Sequence, residues 1–231
     1  MRDSRPVALL FALLLIFTAG VATAAPLADR VLPTDQYTTD KARRLAAAHG
    51  AALRELNASI YHCWPWVETQ KGSIGFYRPK NATQDDRYLS VRIFIEQDPS
   101  PAFSRLPFEE RAAAMFSRYV GPLLRRMNNS PAVAADANLD GFTTILEWTK
   151  QAGTASSRPV HETIAVFVDK TTALDYLGGR ADIRAVASRA RVLGFDGETA
   201  LGAVKLGPTW DDNFVSTYKV ANYQLEPGVT C

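Results

Sequence analysis

The sequence has very few of the residues that most often bind transition metals or act as thiol nucleophiles. Its 231 residues include two cysteines, Cys63 and Cys231, and three histidines, His49, His62 and His161. A three-histidine site would need all three histidines to converge, although they lie on separate predicted elements.

Signature motifs of the common enzyme classes are also missing. There is no G-x-S-x-G nucleophile elbow, no Walker or dinucleotide-binding glycine loop, and no H-E-x-x-H zinc motif. His161 and Glu162 are adjacent, but neighbouring side chains of a strand point to opposite faces and cannot form a general-base pair by themselves. We therefore expect a non-catalytic binding or accessory module. The alternative is an enzyme whose site is assembled from distant residues such as His161, Glu162 or Cys63.

Neither sign of charge dominates the chain. The 26 basic and 24 acidic residues give a formal net charge of +2. This balance provides no long-range attraction for nucleic acid or for anionic lipid. We expect the partner to be a protein or a small-molecule ligand, and not a nucleic acid.

Long apolar runs are confined to the N-terminus. Arg2 and Arg5 precede an apolar run over residues 7–17, and the segment ends in Ala-Thr-Ala at 22–24. This order is typical of a secretory signal peptide, whereas an uncleaved membrane anchor would need roughly 20 uninterrupted apolar residues. We predict a signal peptide over residues 1–24 and a single exported domain over residues 25–231. The protein would be secreted or periplasmic and would meet the membrane only transiently, through its leader.

The two cysteines both lie in the predicted exported domain. Because exported proteins meet oxidants, we predict a disulfide between Cys63 and Cys231 that ties the C-terminus to the first third of the fold. The alternative is a free reactive thiol at Cys63, assisted by its neighbour His62.

Helical and strand patterns follow one another along the chain. Apolar periodicity and capping residues predict helices over about 39–61, from 107 onward with a kink or split at Gly121–Pro122, after Thr171 or Thr172, and after Asp182. Alternation predicts strands over 74–78, 89–96, 142–150 and 160–168. A tight turn is predicted at 196–197, and an aromatic tail over 210–223 is expected to pack against the fold. The resulting fold class is α+β: a single domain with an antiparallel sheet of about four or more strands built from two hairpins, and helices packed on one face.

Residues 136–147 resemble the calcium-binding loop of EF-hand proteins. The resemblance implies that calcium would be bound by the side chains of Asp136, Asn138, Asp140 and Glu147 and by the Phe142 carbonyl. It covers these twelve residues and implies a calcium-binding domain. Residues 142–150 alternate like a strand, however, whereas an EF-hand would begin its exit helix there. We favour the alternative, a solvated turn that leads into a strand and needs no cofactor.

Four aromatic residues lie close together in the sequence, at Trp64, Trp66, Phe76 and Tyr77. They could form a platform for a carbohydrate or peptide. We favour a position in the core, next to the predicted disulfide.

Three glycosylation sequons begin at Asn57, Asn81 and Asn128. They would carry glycans only in a host that glycosylates asparagine.

Overall fold

The computed structural model of the chain describes residues 25–80, 82–96, 100–153, 156–207 and 231. The predicted signal peptide over residues 1–24 and the predicted aromatic tail over 210–223 lie outside the described residues. The sequon at Asn81 also lies outside them.

The described part of the chain contains six α-helices, two short 3₁₀ helices (Ala28–Arg30 and Thr34–Gln36) and one seven-stranded sheet, so the α+β prediction is confirmed. The helices are α1 (Asp40–Cys63), α2 (Pro101–Ser104), α3 (Phe108–Met127), α4 (Pro131–Ala135), α5 (Lys170–Leu177) and α6 (Ile183–Arg189). The strands are β1 (Val67–Thr69), β2 (Gly75–Tyr77), β3 (Tyr88–Ile95), β4 (Gly141–Gln151), β5 (Val160–Asp169), β6 (Arg191–Asp196) and β7 (Thr199–Ala203).

The sheet is mixed rather than purely antiparallel. Its strand order is β1-β3-β4-β5-β6-β7, and β2 also pairs with β3. The pairs β2–β3 and β4–β5 are antiparallel, but β3 and β4 are parallel. The chain between β3 and β4 includes α2, α3 and α4, which is the long crossover that parallel neighbours require. Two hairpins therefore do not account for the whole sheet, because β1, β6 and β7 extend it and one pair runs parallel.

The two long helices begin where the sequence predicts. The Oγ1 atom of Thr39 accepts a hydrogen bond from the Ala42 amide and caps α1. The helix α3 runs unbroken through Gly121 and Pro122, so the predicted split is wrong. Gly121 is buried, and a Cβ atom there would overlap the Tyr176 hydroxyl, so close packing against α5 explains the glycine.

No helix in the described part of the chain is both long enough and apolar enough to cross a membrane.

Side chains of the central strands alternate between two faces of the sheet. One set, which we call the inner face, lies in the hydrophobic core together with apolar side chains of α1, α3 and α5. Its members include Leu89, Val91, Ile93, Phe142, Leu146, Trp148, Ile164, Val166 and Val168. The opposite set, the outer face, includes Ser90, Arg92, Phe94, Thr143, Ile145, Glu147, His161 and Phe167.

A disulfide joins Cys63, the last residue of α1, to Cys231. The two Cα atoms lie 5.7 Å apart, and 168 positions separate the residues in sequence. The predicted bridge is confirmed. A free thiol at Cys63 is wrong, because neither cysteine is free.

Candidate functional site

The start of the EF-hand-like segment is a turn closed by its own hydrogen bonds. The amide and the side-chain Nδ2 of Asn138 donate to Oδ1 of Asp136 over 2.8 and 3.0 Å. The second carboxylate oxygen of Asp136 lies 2.9 Å from Nε2 of His49 on α1. Because the Asn138 amide donates to it and His49 lies beside it, the pKa of the Asp136 carboxyl is held below its ordinary value.

Basic and amide groups of the protein bind further oxygens of the turn. Lys41 donates to Oδ2 of Asp140 over 2.7 Å, and the backbone amide of Arg87 donates to the same oxygen over 2.6 Å. Lys170 donates to the carbonyl of Asp136 over 2.7 Å. These groups supply to the turn the positive charge that a bound cation would supply to an EF-hand loop.

The last two predicted calcium ligands lie on β4, where an EF-hand would have its exit helix. Phe142 is fully buried in the core, and Glu147 lies on the outer face. The structure therefore brings Asp136 and Asn138 together but directs the Glu147 carboxylate to Arg92 and His161. Within the described ranges, no group of three or more histidine, cysteine, aspartate or glutamate side chains could hold a metal ion.

His161 and Glu162 lie on opposite faces of β5, as their adjacency predicts. On the outer face, Nδ1 of His161 lies 3.1 Å from Oε1 of Glu147, and the imidazole centroid lies 5.0 Å from that of Phe94. Arg92 donates to Oε2 of Glu147 over 2.6 Å. The Glu147 carboxylate thus holds the orientation of a cation and an imidazole at once.

Glu162 is fully buried on the inner face and belongs to a different network. Arg111 of α3 donates to both of its carboxylate oxygens, from Nε over 2.7 Å and from Nη2 over 2.5 Å. Trp148 donates its indole N–H to Oε2 over 3.0 Å, and the Lys150 ammonium lies 3.7 Å from Oε1. This carboxylate joins α3 to the sheet and is inaccessible to solvent, so we assign it a structural role.

The outer face of the sheet contains a groove of about 420 Å³. Its floor is formed by Ser90, Thr143 and Ile145 of the parallel strands β3 and β4. One wall is the turn 70–73 between β1 and β2, and the other wall is the segment 77–80 that follows β2. The floor side chains are uncharged, so the groove presents a neutral base between two walls.

The rim of the groove is basic. Lys71 lies on the first wall, Arg78 and Lys80 lie on the second, and Arg92 projects from β3. None of the described residues that line the groove is acidic. Glu147 lies beside Arg92 and Asp29 lies beside Lys71, so the local excess of positive charge comes from Arg78 and Lys80.

Contacts between the walls hold the groove in shape. The Tyr77 hydroxyl donates to the carbonyl of Gly72 and so joins the second wall to the first. Burial raises the pKa of Tyr77 to about 12, so the phenol keeps its proton at neutral pH. At the β5 end, the Arg191 guanidinium lies 4.6 Å from the ring centroid of Phe167 and donates to the Lys80 carbonyl over 3.4 Å.

The predicted aromatic cluster divides between the core and the groove. Phe76 is fully buried in the core, and Trp64 and Trp66 are half-buried against it. Trp66 donates its indole N–H to the Tyr119 hydroxyl over 3.2 Å, and the Arg126 guanidinium lies over the Trp64 ring. Tyr77 alone reaches the groove.

One of the two described sequons is buried in the folded protein. Asn57 is 4% exposed, and its side-chain amide donates to the carbonyl of Leu27 over 3.0 Å. A glycan could not be attached there after folding. Asn128 is half-buried at the C-terminal end of α3.

The groove is the feature that sequence reasoning missed. Its residues come from five separate stretches of the chain and share no local spacing. The one available signal was the density of basic residues at Lys71, Arg78, Lys80 and Arg92, which lie on both sides of β2.

Comparisons with protein families, with curated proteins and with solved structures give no match.

Proposed function

We propose that the protein is an exported, non-catalytic binding module and that the outer-face groove holds a small-molecule ligand. The observation that carries the proposal is the groove itself, whose volume of about 420 Å³ falls in the range of roughly 300–1,000 Å³ typical of small-molecule sites. The proposal takes the helices to pack on the inner face only, which leaves the outer face accessible to a ligand.

Export is supported by two independent features. Residues 1–24 have the order of a signal peptide, and the Cys63–Cys231 bridge suits an oxidising compartment. Cell fractionation tests this part. We expect material in the periplasm or medium whose first residue is Ala25 and whose mass corresponds to the bridged form. Full-length protein retained in the cytosol with two titratable thiols would contradict export.

A binding role is supported by the arrangement of the polar groups around the groove. The hydroxyl side chains of Ser73, Ser90 and Thr143 line the groove together with the cations of its rim. Such groups can hold and orient a ligand by hydrogen bonds and by charge.

Equilibrium dialysis tests the binding role. The purified protein is dialysed against the small-molecule fraction of the medium or envelope of the producing cells, and the retained compounds are identified by mass spectrometry. Ile145→Trp fills the floor of the groove. Thr149→Trp, on the same strand and the same face but outside the groove, is the matched control.

The proposal predicts a compound that is retained by the native protein and by Thr149→Trp, lost with Ile145→Trp, and recovered with its mass unchanged. Retention of the same compound by Ile145→Trp would overturn the groove as the site. Recovery of a chemically altered compound would instead support the alternative of an enzyme with a site assembled from distant residues.

A further inference from the structure

We propose that the ligand of this groove is a small organic anion, with its charged group held by the basic rim and its apolar body lying on the floor. This inference rests on the proposed binding function and names the chemical class of the ligand.

The distribution of charge in the groove separates rim from floor. The rim side chains Lys71, Arg78 and Lys80 are exposed, and Arg92 is 46% exposed. The floor, formed by Ser90, Thr143 and Ile145, carries no charge. A ligand with an anionic group and an uncharged body matches this division, because each part meets the surface that it fits.

Glu147 fixes the orientation of the Arg92 guanidinium. The guanidinium donates to Oε2 of Glu147, whose other carboxylate oxygen lies against His161. Glu147 is only 14% exposed, so its carboxylate lies beneath the guanidinium rather than on the accessible rim. A planar guanidinium held in this way can still present free N–H groups to a carboxylate or phosphate.

The remaining cations enclose the groove from the other sides. Lys80 and Arg78 approach from the second wall, and Arg191 donates to the Lys80 carbonyl and fixes that wall against β6. Lys71 lies on the opposite wall, with its ammonium 3.7 Å from the Asp29 carboxylate. An anion in the groove would thus meet cations from the two connections around β2 and from β3.

Isothermal titration calorimetry with three probes tests the ligand class. Phenyl phosphate carries an anionic group on an apolar ring, inorganic phosphate carries the charge alone, and benzyl alcohol carries the ring without charge. We expect phenyl phosphate to bind at least about tenfold more tightly than either of the other probes. Raising the NaCl concentration from about 50 to 500 mM should weaken its binding, because salt screens exposed charges.

The double variant Arg78→Gln/Lys80→Gln tests the role of the rim. Loss of two exposed cations should weaken phenyl phosphate binding by about three- to tenfold. The matched control, Arg44→Gln/Arg54→Gln, removes two exposed cations from α1 and should leave affinity unchanged. Circular dichroism checks that both variants are folded.

The outcomes separate this inference from the proposed function. Benzyl alcohol binding as tightly as phenyl phosphate, no saturable binding of phenyl phosphate, or equal affinity in the rim variant and the native protein would overturn the anionic ligand. Retention of a neutral compound that Ile145→Trp loses in the dialysis experiment would overturn it as well, while leaving the groove as a binding site.

Discussion

The ammonium nitrogen of Lys41 lies 2.7 Å from Oδ2 of Asp140 and joins the start of α1 to the residue that precedes β4. The backbone amide of Arg87 donates to the same oxygen. A turn whose sequence resembles a calcium loop is thus closed by a lysine and an amide of the protein itself. The ion pair of Lys41 and Asp140 therefore connects α1 to the sheet.

We expect calcium to leave the thermal stability of the protein unchanged. A ligand stabilises a fold only when it binds the folded state more tightly, and both carboxylate oxygens of Asp136 and one of Asp140 already have protein partners. The measurement is the melting temperature in about 5 mM calcium compared with excess chelator. A rise of several degrees in calcium that Asp140→Ala abolishes would show instead that the turn binds the ion.

The buried pair of Arg111 and Glu162 should be strongly coupled. Glu162→Gln leaves the Arg111 guanidinium buried without its counter-charge, and such a loss costs about 3–5 kcal/mol of unfolding free energy. The double variant Arg111→Met/Glu162→Gln leaves no unpaired charge and should cost less than the two single changes added together. Urea unfolding of the three variants gives the coupling energy, and strict additivity would contradict the assigned pairing.

The Cys63–Cys231 bridge should contribute about 2–5 kcal/mol to stability, because it restricts a long loop of the unfolded chain. Reduction of the native protein should lower its urea midpoint to that of Cys63→Ser/Cys231→Ser. Since the sequence has no other cysteine, the reductant should have no effect on the double variant. An unchanged midpoint after complete reduction would show that the bridge does not stabilise the fold.

The Asp136 turn should contribute stability that depends on pH. Its carboxyl pKa is lower in the folded protein than the ordinary value of about 3.9, so its contribution is fully present above that value. The contribution is lost as the pH falls through the folded pKa. The stability difference between the native protein and Asp136→Asn should therefore be largest near neutral pH and shrink between about pH 4 and pH 2.

Urea unfolding at a series of pH values measures this difference. Asp35→Asn, at an exposed aspartate in a short turn before α1, is the control for the loss of a surface carboxylate and should change the stability little. A constant or growing difference for Asp136→Asn toward pH 2 would contradict the role of its ionised carboxylate.

Local patterns were sufficient to predict the long elements. Thr39 caps a helix with a clear apolar stripe, and residues 142–150 alternate so regularly that the pattern favours a strand over an EF-hand exit helix. The alternation also correctly predicted that His161 and Glu162 lie on opposite faces of β5. In each of these cases the deciding interaction lies within a few residues along the chain.

Elements that depend on distant contacts were missed. The strand β1 has only three residues, too few to show a period, and it exists because Val67–Thr69 pairs with Ile93–Ile95. In β6, Gly194 breaks the apolar pattern because a Cβ atom there would lie 2.8 Å from the Phe108 ring. The predicted turn at 196–197 is present, with Gly197 at a φ of 57°, but the strands on either side of it were not predicted.

The candidate site depends on distant contacts to a still greater degree. The groove exists only because a parallel pairing places Ser90 beside Thr143 and because the walls come from two connections around β2. Glu147 was identified as a candidate ligand from its spacing to Asp136, yet its partners Arg92 and His161 lie on neighbouring strands. Sequence spacing could not show these two contacts, because the sheet pairing brings the three residues together.

Chemical-shift mapping tests the central claim most directly, because it reports where a probe binds in the intact protein. Phenyl phosphate is titrated into isotope-labelled protein, and the amide signals are followed to saturation. We predict that the largest shifts fall in residues 70–73, 77–80, 90–92 and 143–145, with little change in α1 or in the turn 136–140. Saturable shifts centred on α1 or on that turn, or no saturable shifts at all, would contradict the assignment of the outer-face groove as the binding site.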